Sequence, residues 1–537
     1  MRVYTMYFVR ESSMHKKITV FVAIILLLAF AAGCAAGLDI PSANEDIGDP
    51  AEPIEGNTEE PNEEQDETKE PGEAPAEEPD DKGNEEDPEK QPSGEEQPEE
   101  NRQPDSSVVY ISASRLNVRE EPSSSSAKKD SLMKGAAVRV LGEATDEKSA
   151  KWLHIAYDSL GKEVTGWIAA EYTVADRLEL LPDFLRNLDY SPIEKVEYPN
   201  NPRVKARGIY VTIYSAGGSR LDKLIEMAKR TEINTFVIDV KDDKGYMLFE
   251  TEAAKKYAPK ANNYRTVKDI QSFMKKLKDN GIYAIARIVS FKDPIYAEAH
   301  PDRAIVYKDT GKVFTNSDNL AWVSAYDRQL WEYNLAVAKE AAAVGFNEIQ
   351  FDYVRFPASN GGKLDAKLDY RNKENMSKPQ AIQEFLKYAR EQLSPLQVYI
   401  SADVYGLVGS VADDMALGQY WEAVSNVVDY ISPMMYPSHY ADGTYGLPVP
   451  DAYPYETVFN SAKDSVARNR NIQTPAIIRP WIQDFSATSW VKGAIPYGEK
   501  EVRAQIRALK ENGIEEYLLW DAANTYTEEA LTGNFDE

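Results

Sequence analysis

The sequence predicts a multidomain chain whose C-terminal part is an α/β TIM (β/α)8 barrel, preceded by a small all-β barrel and a disordered acidic linker. Three observations predict the large barrel. Over residues 206–537, eight apolar runs of strand length alternate with amphipathic helical stretches, the pattern of parallel βα units. Several helical stretches stop at Gly or Asn, as in Asn280-Gly281, Gly345 and Asn512-Gly513, where helix C-caps belong. No Gly-x-Gly-x-x-Gly or Walker sequence follows a strand, so a nucleotide-binding open sheet is not indicated.

At 537 residues the chain has room for about two to four domains. Its charge is uneven. Residues 41–104 hold 25 acidic and 4 basic side chains, −21 of the net −27, so the remainder is only mildly acidic. No basic stripe is left to neutralise a phosphate backbone, and nucleic acid is not an expected partner. The single cysteine, Cys34, excludes a disulfide within the chain. Four scattered histidines (His15, His154, His300 and His439) offer no zinc spacing, and no EF-hand loop occurs. No metal and no cofactor are expected.

Residues 1–34 read as a secretory signal: His15-Lys16-Lys17, an apolar run over 18–32, then Ala31-Ala32-Gly33-Cys34. The run is about five residues short of a comfortable membrane span. Its ending resembles a bacterial lipobox, which implies lipidation of Cys34 and anchoring of the mature chain to the membrane. Met14 is a possible alternative start. Residues 35–107 are rich in Glu, Pro, Asp, Gly and Gln with almost no aromatic residues. Such a segment buries too little apolar surface to order itself, and like charges keep it extended as a spacer.

Order resumes at Val108-Val109-Tyr110-Ile111, and short alternating runs separated by Gly, Ser and Asp continue to about residue 175. Leu116-Asn117-Val118-Arg119 and Gly166-Trp167-Ile168 resemble the signatures of the bacterial SH3-like (SH3b) domain. That resemblance implies binding to peptidoglycan or another wall polymer, with a purely structural spacer as the alternative. His154 alternates with buried neighbours and reads as a structural histidine. Residues 176–205, with four prolines, read as a second linker.

Within 206–537, strands are predicted at 208–214, 235–242, 282–291, 348–356, 397–406, 428–437, 475–485 and 516–522. Helices are predicted at 221–230, 267–280, 333–344, 379–393, 455–467 and 499–512. A TIM-barrel site lies at the C-terminal ends of the strands, where alternate residues point inward. On that parity strand two offers Asp239 and Lys241, strand three Arg287, strand four Gln350 and Asp352, and strand five Ser401 and Asp403. Two carboxylates on adjacent strands are what glycoside hydrolysis uses: one attacks or assists at the anomeric carbon, the other protonates the leaving oxygen. Asp352 and Asp403 are the expected catalytic pair, with Asp239 and then Asp521 as alternatives. Each aspartate also has a structural reading, as the partner of Lys241, Arg287 or Arg355. Tyr436, His439, Arg479, Trp481 and Trp520 join Lys241, Arg287, Gln350 and Arg355 as expected substrate-binding residues, because sugar rings present apolar C–H faces to aromatic side chains.

The stretches 345–357 (Gly-Phe-Asn-Glu-Ile-Gln-Phe-Asp-Tyr-Val-Arg-Phe-Pro), 401–406, 431–440 and 479–485 together resemble the bacterial glycoside-hydrolase-like domain family DUF4015. The resemblance covers about 204–532. It implies a TIM barrel with an Asp nucleophile on strand four, which falls on Asp352. Related families often carry a Glu acid/base on strand five, where this chain has Asp403. The function expected is an O-glycosidase acting on a cell-surface or extracellular polysaccharide, lipid-anchored on the outer face of the membrane of a Gram-positive bacterium. The alternative is a non-catalytic surface lipoprotein that binds carbohydrate or cell wall.

Overall fold

The computed structural model describes residues 108–159 and 162–533, which divide into a unit ending at Asn187 and a unit beginning at Leu188. The secretory segment 1–34, Cys34 and the acidic segment 35–107 lie outside the described residues. No described helix is long and apolar enough to cross a membrane.

The small unit is a seven-stranded antiparallel sheet: β1 Val108–Ile111, β2 Arg115–Arg119, β3 Lys128–Met133, β4 Ala137–Thr145, β5 Lys151–Ser159, β6 Lys162–Ala169 and β7 Thr173–Val174. The order is β3-β2-β6-β5-β4-β1-β7. In β2 the alternation puts Leu116 and Val118 inward and their polar neighbours outward. Ile111, Val138, Leu153, Ile155, Tyr157 and Ile168 complete its core. His154 faces Trp167 across the β5–β6 ladder, and the two rings stack at 4.9 Å. The histidine thus serves packing.

In the large unit eight parallel strands close on themselves. They are β8 Arg207–Val211, β9 Thr235–Lys241, β10 Tyr283–Val289, β12 Glu348–Asp352, β14 Tyr399–Tyr405, β15 Tyr430–Met434, a split seventh strand, and β18 Tyr517–Trp520. The seventh strand is broken into β16 Ile477–Ile478 and β17 Trp481–Gln483. Pro480, which has no N–H to give the ladder, lies in the break. Outside the barrel, β11 Val306–Tyr307 pairs antiparallel with β13 Leu368–Asp369 and ties together the loops after the third and fourth strands. Barrel strands are buried on both faces, as parallel strands under helices must be.

Seven helices of the outer layer are α1 Arg220–Ala228, α2 Ile270–Asp279, α3 Arg328–Val344, α4 Lys378–Leu393, α5 Trp421–Val427, α6 Pro454–Asn469 and α7 Glu499–Glu511. Gly345 caps α3 at φ 112°, a left-handed conformation that glycine adopts without strain. Gly406, just past β14, is needed for space. A methyl group there would overlap the Met434 carbonyl oxygen and lie 2.5 Å from the Tyr440 hydroxyl. Gly406→Ala must therefore push β14 and β15 apart at the mouth. We expect a loss of about 1–3 kcal/mol, read as a lower denaturant midpoint at unchanged slope.

Residues 188–203, read from sequence as part of a linker, run across the N-terminal end of the barrel. Arg203 lies over the rings of Tyr399 and Tyr430 at 4.4 and 5.0 Å and pairs with Asp429. Asn201 donates to the carbonyls of Asn347 and Gln397, and Lys195 to those of Asn426 and Val428. Just inside that end, fully buried Arg479 pairs with Glu348 and Glu516 and stacks on Tyr430 at 3.5 Å. The barrel is thus plugged from below by charge pairs and aromatic rings.

Candidate active site

Arg287, fully buried at the third strand, is the hub of the mouth. Its guanidinium donates to Asp239 at 2.6 Å, to Asp352 at 2.6 and 2.9 Å, and to Asp243 at 3.0 Å. The register explains the meeting, because Arg287 lies level with Asp239 on one side and with Gln350 on the other. One positive charge faces three carboxylates. If all were ionised the cluster would carry excess negative charge in a desolvated place, so its protons are set by competition. Burial pushes the Asp239 carboxyl up to about 6, against the pull of Arg287. Asp239 also accepts a hydrogen bond from the Tyr210 hydroxyl at 2.5 Å.

Asp352 ends β12. Its Oδ2 takes both Arg287 bonds, and its Oδ1 accepts the Tyr353 N–H at 2.5 Å. Tyr353 has φ 46°, left-handed backbone that a tyrosine seldom adopts. The chain turns sharply as it leaves the carboxylate, a form of strain that concentrates at functional sites. Tyr353 is held there by Trp322 in edge contact and by the Lys292 and Arg355 cations over its ring.

Asp403 stands one strand over, one residue past the Phe351–Ala402 register pair, which puts it level with Asp352. Its surroundings are the opposite of its neighbour's. Oδ1 accepts the indole N–H of buried Trp481 at 2.8 Å, while Oδ2 has no partner and is buried. Burial first, and the charge of Asp352 second, hold the Asp403 carboxyl well above the usual carboxylate range. Asp403 is thereby biased toward its neutral form beside a carboxylate that is ion-paired with Arg287.

Other expected residues divide by position. Trp520 stacks on Tyr210 at 4.0 Å and lies 5.3 Å from the Arg287 guanidinium, and Tyr436 is 6.3 Å from Trp520. His439 packs edge-on against Tyr436, and burial pushes its imidazole down to about 4, so it is neutral. Gln350 lies beneath Asp352 and donates to Ser432 at 3.4 Å. Arg355 packs over Trp322 and donates to the Phe356 carbonyl.

Three residues are elsewhere. Lys241 is expected inward but sits on the helix side, bonded to Asp293 and Asn334 at 2.7 Å each. A bulge in the β9–β10 ladder pairs Ile288 with Lys241 where Val240 would stand, and one extra residue reverses the face. Arg479 does point inward, but at the closed end. Asp521 accepts the N–H groups of Ala523 and Thr525 and shapes the turn after β18. Tyr210 and Asp243 were not singled out from sequence. Tyr210 shares the inward parity of the first strand, and Asp243 directly follows Asp242 at the end of the second. Among the described residues no group of three or more His, Cys, Asp and Glu side chains is arranged to hold a metal ion.

A family model, DUF4015, described as a putative glycosyl hydrolase domain, matches residues 208–526. This chain belongs to the DUF4015 family. The bacterial SH3 domain model matches residues 114–174. Among solved structures, a hypothetical protein from Ruminiclostridium thermocellum is 36% identical over 36% of this chain and 97% of its own, with a TM-score of 0.31. The PgaB (BpsB) glycoside hydrolase domain of Bordetella bronchiseptica is 14% identical, covering 61% of this chain and 97% of its own at a TM-score of 0.43. The α-galactosidase TtGalA of Thermus thermophilus is 12% identical, covering 78% and 84% at 0.38. A search of the curated proteins returned no match. In the DUF4015 barrel of this chain, the matched span takes in Tyr210, Asp239, Arg287, Asp352, Asp403, Trp481 and Trp520.

Proposed function

We propose that the DUF4015 barrel hydrolyses O-glycosidic bonds in a cell-surface or extracellular polysaccharide, with Asp403 as the acid and Asp352 as the carboxylate that acts at the anomeric carbon. The observation that carries this reading is the opposed environments of two level carboxyl groups on adjacent strands. Adjacent strands are about 4.8 Å apart, which is compatible with a pair working on one bond. In glycoside hydrolysis Asp403 gives its proton to the leaving oxygen as the C–O bond breaks. Asp352, paired with Arg287, stabilises or captures the positive charge that develops at the anomeric carbon. Water supplies the hydroxyl that completes the new hemiacetal, and its proton returns to the carboxylate pair. Trp520 and His439, backed by buried Tyr436, supply ring surface for the sugars, and Tyr210 and Asp239 fix the orientation of Arg287.

Delivery follows from the rest of the chain. Removal of the 1–34 signal and lipidation of Cys34 would hold the protein on the outer face of the membrane. The acidic 35–107 spacer would extend it, and the SH3 domain would engage peptidoglycan or another wall polymer.

The test is release of new reducing ends by the full chain from a panel of wall and exopolysaccharide oligomers, followed across pH. Product is expected, with kcat/KM falling on the alkaline side as Asp403 loses its proton. Binding across the panel with no product would instead make the barrel a carbohydrate-binding scaffold.

A further inference from the structure

We infer that Trp490 forms an outlying sugar-binding platform, so that the substrate is a chain of several uncharged sugar rings that runs from the carboxylates to the rim. The inference rests on the glycosidase reading. All eight tryptophans of the chain are described, and Trp490 is the one that is exposed, at 45%. Exposure of a single aromatic residue means little by itself. Two features set this one apart.

The first is that Trp490 is held in place. It lies in the loop after β17, at the C-terminal face where TIM-barrel loops build sites. Its own N–H donates to the Ala487 carbonyl at 3.1 Å. Further along, the Ile495 N–H donates to Asp451 at 3.0 Å, the Tyr497 hydroxyl to the Asp451 carbonyl at 3.0 Å, and the Tyr497 N–H to Ser486 at 2.9 Å. Asp451 is buried and also accepts from Gln483 of β17. The loop that carries the ring is thus anchored, which lowers the ordering cost that binding would otherwise impose.

The second feature is continuity. Trp490 meets His439 edge-on at 5.5 Å and 87°. His439 meets Tyr436 at 5.2 Å, Tyr436 meets Trp520 at 6.3 Å, and Trp520 lies 5.3 Å from the guanidinium that holds Asp352. Phe485 fills the side of the track against Tyr436 and His439. Tyr436 is buried and backs this track, while Trp520, His439 and Trp490 keep exposed surface on it; with His439 neutral, none of them carries a charge. Such a track suits successive pyranose rings, whose C–H faces pack on aromatic faces. A single terminal sugar at Asp352 would leave its outer half unused.

The test uses the full chain carrying Asp352→Asn, so that binding is read without turnover. The probes are N-acetylglucosamine oligomers and cello-oligosaccharides of two and of six residues, titrated calorimetrically. One oligomer series is expected to bind about 10-fold tighter as the hexamer than as the dimer. Adding Trp490→Ala should collapse that ratio toward one, and Trp490→Phe should keep part of it, since a ring face remains. The inference is overturned if hexamer and dimer bind alike, if Trp490→Ala weakens both equally, or if none of the oligomers binds. The glycosidase reading is judged separately, by product release from the same oligomers with the native sequence. Length-dependent binding without release would sink that reading and leave the platform standing, whereas release with no length dependence would do the reverse.

Discussion

Asp352→Asn is expected to lower turnover on the order of 10⁴-fold while leaving the barrel folded. The asparagine oxygen can keep the Arg287 bonds but gives up the Tyr353 N–H, a local cost, while Arg287 keeps Asp239 and Asp243. What is lost is the negative charge at the anomeric carbon. The same change removes the Asp352 charge that helps hold the Asp403 proton, so residual activity should fail at lower pH than in the native chain. Asp403→Asn has a different signature. Trp481 can still donate to an amide oxygen there, but no proton is available for the leaving group, a loss of about 10²–10⁴-fold. Aryl glycosides, whose leaving groups need little protonation, should suffer least.

Stability separates the pair further. The folded-state pKa of Asp403 lies above its unfolded value of about 3.9, so the fold favours the neutral acid. Above pH 4 the unfolded chain gives up that proton while the folded chain retains it, and stability falls as pH rises toward the folded pKa. Asp403→Asn removes this penalty. Its melting temperature should match the native protein near pH 4 and exceed it increasingly toward neutral pH. Equal melting temperatures at all pH values would mean that Asp403 is ionised in the fold and cannot be the acid.

Where the sequence succeeded and failed has a common physical origin. Inward parity placed Arg287, Gln350, Asp352 and Asp403 correctly because a regular strand reverses its face every residue. It failed at Lys241 because a bulge is a one-residue event that composition does not mark. Parity reports a face and says nothing of depth. Arg479 and Trp481 share the inward side of the split strand, yet Trp481 reaches Asp403 while Arg479 meets Glu348 at the closed end. The strap at 188–203 read as linker because its prolines and polar residues look like one. Its partners lie up to 281 residues away, in Asn347, Gln397, Asn426, Asp429 and Thr474. The exposure of Trp490 was equally hidden, since nothing local distinguishes a tryptophan on a rim from one in a core.

Arg479→Met should be the most destabilising change at a residue expected from sequence to bind substrate. Arg479 donates to both oxygens of Glu348 at 2.9 and 3.0 Å and to Glu516 at 2.8 Å, with Tyr283 the further hydroxyl partner of Glu348. Methionine fills similar volume but leaves the Glu348 charge uncompensated inside the barrel, which costs about 3–5 kcal/mol. Burial already raises the Glu348 pKa, and losing Arg479 raises it further. A raised carboxyl pKa removes stability above the unfolded value of about 4.3, so the deficit should be full at pH 7 and shrink as pH falls and Glu348 takes up a proton. Adding Glu348→Gln should recover a large part of the loss at pH 7, because the uncharged amide no longer needs the cation. If Arg479 belongs to the plug, whatever enzyme remains folded should keep its native KM. A raised KM with little change in the denaturant midpoint would place Arg479 at the sugar instead, and the closed end of the barrel would need a different account.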